Sequence, residues 1–253
     1  MKTYGLNGFL VHKYKELIST NSKAAEYGYN EIQDKTLIIT PKQTGGRGQG
    51  TNKWESETGK NLAFSMIFKP EQSFSAVNQF AISMAVSLAC RNAISAYADD
   101  CTIKWPNDIY VGDYKIGGIL IENKIVSNYV MTSVCGVGLN VNQKLFSENI
   151  PNPISLYMIL DKELPLKKLL SEILDNMNIT YPQIYTPDYL LSDYLSVLYR
   201  REGLYKWRDV NGMFLASIEG VDEYGRLVLT DTRGEQRVYG FKEVEYIIGD
   251  KCL

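Results

Sequence analysis

A run of short β-like segments between residues 102 and 136 constrains the fold of this chain more than any other feature. Apolar residues alternate with Gly, Asp and Asn turns there, which predicts strands at Thr102–Trp105, Ile109–Val111, Gly118–Ile125 and Tyr129–Gly136. Hairpins are the economical connection between strands with such tight turns. This stretch is therefore predicted to form a sheet.

Longer segments on both sides show helical spacing. Ser75–Tyr97 is the clearest, because apolar residues recur every three or four positions. The other predicted helices are Lys15–Tyr27, with Ser19 or Asn21 as its cap, Leu166–Thr180 and Asp188–Arg201. Two further strands are predicted at Thr36–Thr40 and Asn61–Phe68.

The pattern changes after Arg201 to short β-like pieces separated by turns. These pieces are Met213–Ile218, Arg226–Leu229, Gln236–Tyr239 and Val244–Ile248. Several short strands in so small a segment predict an SH3-like barrel. We therefore predict a larger domain at residues 1–203 and a small C-terminal domain at residues 204–253.

The charge balance argues against some classes of protein. The chain carries 27 basic and 29 acidic residues and has a pI of about 5.6, whereas DNA-binding domains usually bring a basic excess. It contains no apolar run of transmembrane length, and its first ten residues do not resemble a signal peptide. The sequence predicts a cytoplasmic protein that binds neither DNA nor a membrane.

The cysteines do not form a metal-binding pattern. Cys90, Cys101, Cys135 and Cys252 show no CxxC spacing, and His12 is the only histidine. This predicts neither a protein cage for a metal nor a serine–histidine–aspartate triad. Three of the four cysteines fall in apolar runs and are predicted to be small core residues, which fits a reducing compartment.

A glycine-rich segment, Gly45–Gly50, follows the predicted strand at residues 36–40. Its glycines allow close backbone approach to a ligand, and Arg47 adds a planar cation suited to carboxylate or phosphate oxygens. The segment is not a P-loop, since Thr51-Asn52 follow Gly50, and its glycine spacing is not that of a Rossmann fingerprint. By itself it is either an anion cradle or a flexible turn.

Four more segments could carry chemistry. Residues 104–108, Lys-Trp-Pro-Asn-Asp, offer a cation, an aromatic plane and two short polar side chains, or form an ordinary turn. Lys115 precedes a glycine pair, where it could bind a phosphate or carboxylate or be a solvated hairpin lysine. Residues 136–140, Gly-Val-Gly-Leu-Asn, end a strand, and residues 19–21, Ser-Thr-Asn, lie near a helix start where they could also be a cap.

The order and spacing of these segments are more specific than any one of them. The chain reads Ser-Thr-Asn, Gln-Thr-Gly-Gly-Arg-Gly, a Trp eight residues after the second loop glycine, Lys-Trp-Pro-Asn-Asp, Lys-Ile-Gly-Gly-Ile-Leu-Ile-Glu and Gly-Val-Gly-Leu-Asn-Val-Asn. This series resembles the catalytic domain of biotin protein ligases over nearly the whole chain. The resemblance implies an α/β fold of the α+β type, a mixed sheet flanked by helices as in class II synthetases, followed by an SH3-like barrel.

The resemblance also implies the activity. Such enzymes form biotinyl-5′-adenylate from biotin and ATP with Mg²⁺, then transfer biotin to a lysine of a biotin carboxyl carrier protein domain, as in acetyl-CoA carboxylase. Residues 19–21 come too early to follow a winged-helix domain, so the chain resembles the single-function members and no repressor activity is expected. The sequence leaves the oligomeric state open, and a homodimer is compatible with it.

Residue roles carried over from the resemblance fall into three groups. Biotin would be bound by Ser19, Thr20, Asn21, Gln43, Gly46, Arg47, Gly48 and Lys115. The nucleotide would be bound by Trp54, Asn107, Lys115, Gly136, Gly138 and Asn140. Arg47, Lys115 and Asp108 would be catalytic, with Asp108 acting as a base, as an orienter of Lys115 or as a Mg²⁺ contact.

The chain departs from many relatives at the glycine-rich loop. Gln49 stands where they have a second arginine, and residues 50–52 lack their basic side chains. Two other functions remain: a lipoate or octanoate ligase of the same fold, and a non-catalytic adaptor that binds partners through its SH3-like end.

Overall fold

The computed structural model of the protein describes residues 1–248. The strands are, in chain order, β1 Lys2–Leu6, β2 Phe9–Lys13, β3 Thr36–Ile39, β4 Gly46–Arg47, β5 Lys53–Trp54, β6 Leu62–Phe68, β7 Cys101–Lys104, β8 Asp108–Val111, β9 Tyr114–Val126, β10 Tyr129–Leu139, β11 Tyr205–Asp209, β12 Gly212–Val221, β13 Leu227–Asp231, β14 Gln236–Tyr239 and β15 Glu245–Tyr246. The α-helices are α1 Thr20–Ala25, α2 Phe80–Ser95, α3 Leu156–Leu160, α4 Leu166–Thr180 and α5 Pro187–Ser196, and 3₁₀ turns span Ala76–Gln79 and Tyr181–Tyr185.

Eight strands form one mixed sheet in the order β1-β2-β3-β6-β10-β9-β8-β7. Strands β2 and β3 are parallel, and all other neighbours are antiparallel. The consecutive hairpins β7–β8–β9–β10 confirm the predicted sheet. Antiparallel β3 and β6 are joined by residues 40–61, so the glycine-rich loop leaves and re-enters the sheet at the same end.

Helices cover both faces of this sheet. On one face Phe64 and Met66 of β6 belong to the same buried core as Ile82 of α2 and Leu169 of α4. On the other face Ile67 packs in a smaller cluster with Ala24 of α1. Every residue of β6 is buried as a result, which explains its uninterrupted apolar composition. The predicted mixed sheet flanked by helices is confirmed.

The C-terminal strands form a separate antiparallel sheet in the order β14-β13-β12-β11-β15. Trp207 is fully buried there, and its Nε1 donates a hydrogen bond to the carbonyl of Ala216 at 3.0 Å. The apolar residues of this sheet join the main core, and Trp105 Nε1 donates to the carbonyl of Gly225 at 2.9 Å. The sheet begins at Tyr205, and the domain boundary at residues 203–204 stays a prediction.

Three predicted helices are longer than the real ones. The helix predicted at Ser75–Tyr97 spans only Phe80–Ser95, and a 3₁₀ turn at Ala76–Gln79 precedes it. The helix predicted from Lys15 begins only at Thr20, because the backbone at residues 17 and 18 bonds to residues 42–45 instead: Leu17 N–H donates to Lys42 O, and Gly45 N–H donates to Ile18 O. The helix predicted to reach Arg201 ends at Ser196, because residues 197–199 bond to β7 through the backbone of residue 103. The β1–β2 hairpin and α3 were not predicted.

Cys90, Cys101 and Cys135 are buried core thiols, as predicted. Burial raises the pKa of Cys101 and of Cys135 to about 12, so both remain protonated near neutral pH. Cys252 lies outside the described residues. None of the helices within residues 1–248 combines the length and apolar character that a membrane crossing requires.

Candidate functional site

A cavity of about 770 Å³ lies between the glycine-rich loop, the β8–β10 end of the main sheet and the C-terminal sheet. Among the predicted site residues, those that line it are Ser19, Thr20, Asn21, Gln43, Arg47, Gly48, Trp54, Asn107, Asp108, Lys115, Gly136, Gly138 and Asn140. Gly46 does not line the cavity. A Cβ atom on Gly46 would lie 2.4 Å from the carbonyl of Trp54, so this glycine permits the close pairing of β4 with β5.

A buried polar network forms one end of the cavity. Ser19 caps α1 through its side chain, which fixes the next two residues at the start of the helix. The Thr20 N–H donates to Gln43 Oε1 at 2.8 Å, and Thr20 Oγ1 lies 3.2 Å from the same oxygen. Ser65 Oγ, fully buried on β6, lies 2.7 Å from Thr20 Oγ1 and 2.6 Å from Asn21 Oδ1. This end can exchange several hydrogen bonds with a small polar ring.

Glu122 connects that network to the glycine-rich loop. Its Oε2 accepts a hydrogen bond from Asn21 Nδ2 at 2.8 Å, and its Oε1 pairs with Arg47 Nη2 at 2.5 Å. The Arg47 side chain is 45% exposed, so the ion pair with Glu122 is the main interaction that fixes its position. Glu122 was not among the predicted site residues, although it ends the quoted Lys-Ile-Gly-Gly-Ile-Leu-Ile-Glu segment.

Lys115 and Asp108 form an ion pair on the cavity wall. Lys115 lies on β9, and its backbone also bonds to residues 152 and 154, so the lysine is fixed on both sides. A register shift between Ile109 and Tyr110 adjusts the β8–β9 pairing. Lys115 Nζ lies 2.7 Å from Asp108 Oδ2, and both side chains lie beside Gly118, 3.4 Å from the position that a Cβ would take there.

Two predicted asparagines use their amide nitrogens to hold the backbone. Asn107 Nδ2 donates to the carbonyl of Ile119 at 2.6 Å, and Asn140 Nδ2 donates to that of Ile154 at 3.1 Å. Both residues line the cavity. Their bonds fix the β7–β8 turn and the chain after β10 around it.

The glycines of β10 accommodate protein side chains. A Cβ on Gly136 would lie 2.1 Å from Asn21 Oδ1, and one on Gly138 would lie 2.4 Å from Trp54 Cε2. The Trp54 indole therefore lies directly on the backbone of β10, and its buried Nε1 has no hydrogen-bond partner within the described residues. These two glycines, which the resemblance assigned to the nucleotide site, bring Asn21 and Trp54 into place.

The C-terminal sheet closes the opposite end of the cavity, which the sequence did not predict. Phe241, Lys242 and Tyr246 line the wall together with Lys104 and Trp105. The rings of Trp105 and Phe241 are 6.4 Å apart. The C-terminal pattern of short strands and turns contains no local signal for such a role.

Comparisons with known proteins agree with this architecture. The family model "Biotin/lipoate A/B protein ligase family" matches residues 14–140. The chain is 28% identical over 240 residues to the "Bifunctional ligase/repressor BirA" of Bacillus spizizenii, covering 89% of this chain and 71% of that protein. It is 31% identical over 148 residues to "Biotin--protein ligase 2" of Arabidopsis thaliana, covering 57% and 44% of the two chains.

A solved structure shares the fold. The "Biotin protein ligase from Aquifex aeolicus in complex with biotin and ATP" is 22% identical, with a TM-score of 0.76 over 93% of this chain and 97% of that one. The matched family segment includes the polar network, the glycine-rich loop and the Lys115–Asp108 pair. This chain therefore belongs to the biotin/lipoate A/B protein ligase family.

Proposed function

We propose that this chain is a biotin protein ligase, which activates biotin with ATP and transfers it to a protein lysine. The observation that carries the proposal is that one cavity joins a hydrogen-bonding end at Thr20, Asn21 and Gln43 to a cation, Lys115. Biotin has a ureido ring, with a carbonyl and two N–H groups, at one end and a carboxylate at the other. A cavity of this size in which a small number of polar groups point toward the same space is typical of a small-molecule site.

The first step joins two anions. A biotin carboxylate oxygen forms a bond to the α-phosphorus of ATP, and the bond from that phosphorus to the bridging oxygen breaks, so pyrophosphate leaves with the electron pair. Lys115 and Arg47 would offset the repulsion and the charge that develops in the transition state. Holding both reactants in the cavity would remove much of the entropic cost of their encounter.

The second step transfers the acyl group. The neutral amine of an acceptor lysine attacks the acyl carbon of the adenylate, the carbon–oxygen bond to AMP breaks, and the amine loses a proton. Asp108, which forms an ion pair with Lys115, would orient Lys115 or accept the proton from the acceptor amine. The acceptor that we propose is a lysine of a biotin carboxyl carrier protein domain.

Magnesium would enter this site with the phosphates of ATP. Mg²⁺ keeps several waters and phosphate oxygens, so it needs one or two protein carboxylates, and Asp108 fits such a contact. Residues 1–248 contain no group of three or more His, Cys, Asp or Glu that could cage an ion. When bound, the ion would neutralise part of the negative charge of the phosphates.

The polar end of the cavity favours biotin over lipoate. The ring of lipoate lacks N–H and C=O groups, so it would leave Thr20, Asn21 and Gln43 without new partners. Calorimetry should show biotin binding at least about tenfold more tightly than lipoate. If lipoate bound as tightly as biotin or more tightly, the chain would belong to the lipoate branch. If the chain formed no acyl-adenylate with ATP, the result would favour the adaptor function.

The neutral loop residue Gln49 is expected to weaken retention of the adenylate. It lines the cavity, and an arginine there would add a charge-assisted hydrogen bond to the phosphate. Gln49→Arg should therefore slow release of labelled biotinyl-adenylate from its preformed complex by about 3- to 10-fold. Gln72→Arg, an exposed position outside the cavity wall, is the matched control. An unchanged release rate for Gln49→Arg would refute a weakened clamp.

A further inference from the structure

Lys104 is a half-buried lysine in the cavity wall that forms no ion pair within residues 1–248. Its Nζ lies over two aromatic rings, 5.2 Å from the ring centroid of Tyr110 and 4.9 Å from that of Tyr246. The nearest polar partner is the hydroxyl of Tyr110 at 3.4 Å. Burial lowers the pKa of Lys104, with Lys115 and Arg200 acting in the same direction, while Asp108 and, more weakly, Glu245 oppose the shift.

This arrangement is unfavourable for folding. A charged group taken out of water needs a counter-charge or several hydrogen bonds to offset its lost hydration, and two ring faces offset it only in part. Arg200 adds positive potential nearby. Its guanidinium group has neutral partners, namely the rings of Tyr199 and Tyr205 and the carbonyl of Ile247. A cation kept in this position indicates an anionic ligand.

A second lysine completes the same end of the cavity. Lys242 is exposed, forms no ion pair within the described residues, and has its Nζ 5.7 Å from the ring centroid of Phe241, which packs on Trp105. The same Nζ lies 2.9 Å from the position that a Cβ on Gly50 would take. Lys242 therefore lies at the mouth, between the C-terminal sheet and the loop segment that lacks basic residues.

The charges of the cavity are distributed unevenly. Arg47 and Lys115 form ion pairs with Glu122 and Asp108, whereas Lys104 and Lys242 form none in the part of the chain that the structure describes. Glu245 also lines this end, but it pairs with Arg208 at 3.3 Å. The excess positive charge is therefore at the end next to the C-terminal sheet. A ligand group with several negative charges suits this end.

We propose that Lys104 is a further substrate-binding residue, whose ammonium group, with Lys242 at the mouth, binds the β- and γ-phosphoryl oxygens of ATP. It thereby stabilises pyrophosphate, which gains the electron pair when its bond to the α-phosphorus breaks. This inference rests on the proposed function, because that function supplies the triphosphate.

The test compares Lys104→Met, Lys104→Arg and Lys242→Met with the unchanged protein. Calorimetry with magnesium pyrophosphate, in the absence of biotin, should show affinity lowered about 10- to 100-fold in Lys104→Met and about 3-fold in the more exposed Lys242→Met. Lys104→Arg should retain most of the affinity. The affinity for AMP, which lacks β- and γ-phosphates, should stay within about twofold.

Kinetics and stability separate this role from a structural one. Lys104→Met should raise the KM for ATP and leave the KM for biotin unchanged, while its melting temperature equals or exceeds that of the parent because an unpaired charge has been removed. Lys168→Met is the matched control, since Lys168 lies 5.5 Å above the Tyr97 ring and does not line the cavity. A lower melting temperature with unchanged pyrophosphate affinity would overturn the proposal.

The outcomes also separate this inference from the proposed function. If the unchanged protein makes no biotinyl-adenylate, the proposed function is wrong. The role of Lys104 is then decided by whether Lys104→Met binds pyrophosphate more weakly than the unchanged protein. If it makes the adenylate and the Lys104 and Lys242 variants bind pyrophosphate as it does, only the inference is wrong. Should Lys104→Met fail to fold, Lys242→Met decides, and an unchanged pyrophosphate affinity in that variant contradicts the proposal.

Discussion

Replacing Lys115 by alanine is expected to slow pyrophosphate release from ATP and biotin by about 10²- to 10³-fold. The lysine is the cation that we place where the biotin carboxylate meets the α-phosphate, and its backbone is held by residues 152 and 154. A group fixed before the reaction stabilises the developing charge without reorganisation, so its loss falls mainly on the chemical step. Single-turnover measurements with labelled ATP would detect it.

Folding should survive this change, because the side chains of Lys115 and Asp108 are 31% and 26% exposed, and water can solvate the remaining carboxylate. Lys168→Ala, outside the cavity, serves as the control. If Lys115 acted only by holding Asp108, then Asp108→Asn would reproduce its effect in size and would leave the same step limiting. Normal pyrophosphate release in Lys115→Ala would refute the assignment.

Replacing Gly136 by alanine is expected to weaken biotin binding by about 10- to 100-fold. The new methyl group would lie 2.1 Å from Asn21 Oδ1, so one of the two must move. Asn21 is 3% exposed and bonds to Ser65, Glu122 and the backbone of Leu120. It cannot turn away without breaking these bonds, and its displacement disrupts the end of the cavity assigned to the ureido ring.

The control for this prediction is Gly5→Ala. An added Cβ on Gly5 would have no neighbour within 4 Å, so that substitution adds the same methyl group to a strand without a clash. Calorimetry should show unchanged biotin affinity for Gly5→Ala. In a double-mutant cycle, Gly136→Ala should cost little further affinity once Asn21 has been changed to alanine, because the clash is then absent. Additive losses would contradict the proposed mechanism.

Local patterns in the sequence determined much of this protein. The alternation between residues 102 and 136 predicted the hairpins of β7–β10, and helical spacing predicted α2 and the bounds of α4. The predicted loop at residues 45–50 lies beside the cavity with Arg47 and Gly48 on its wall. These features depend on neighbours a few positions apart, where side-chain periodicity reports directly on burial.

Only the tertiary structure decided which distant groups meet. The partners Asn21 and Glu122 are 101 residues apart, and Trp105 bonds to a carbonyl 120 residues away. The sequence could not show that Gly136 and Gly138 accommodate Asn21 and Trp54, or that the C-terminal sheet brings Lys242 to the cavity. The physical reason is that such contacts arise where a helix, a loop or the C-terminal sheet packs on the main sheet, and the local pattern of each element specifies a buried face but not its partner.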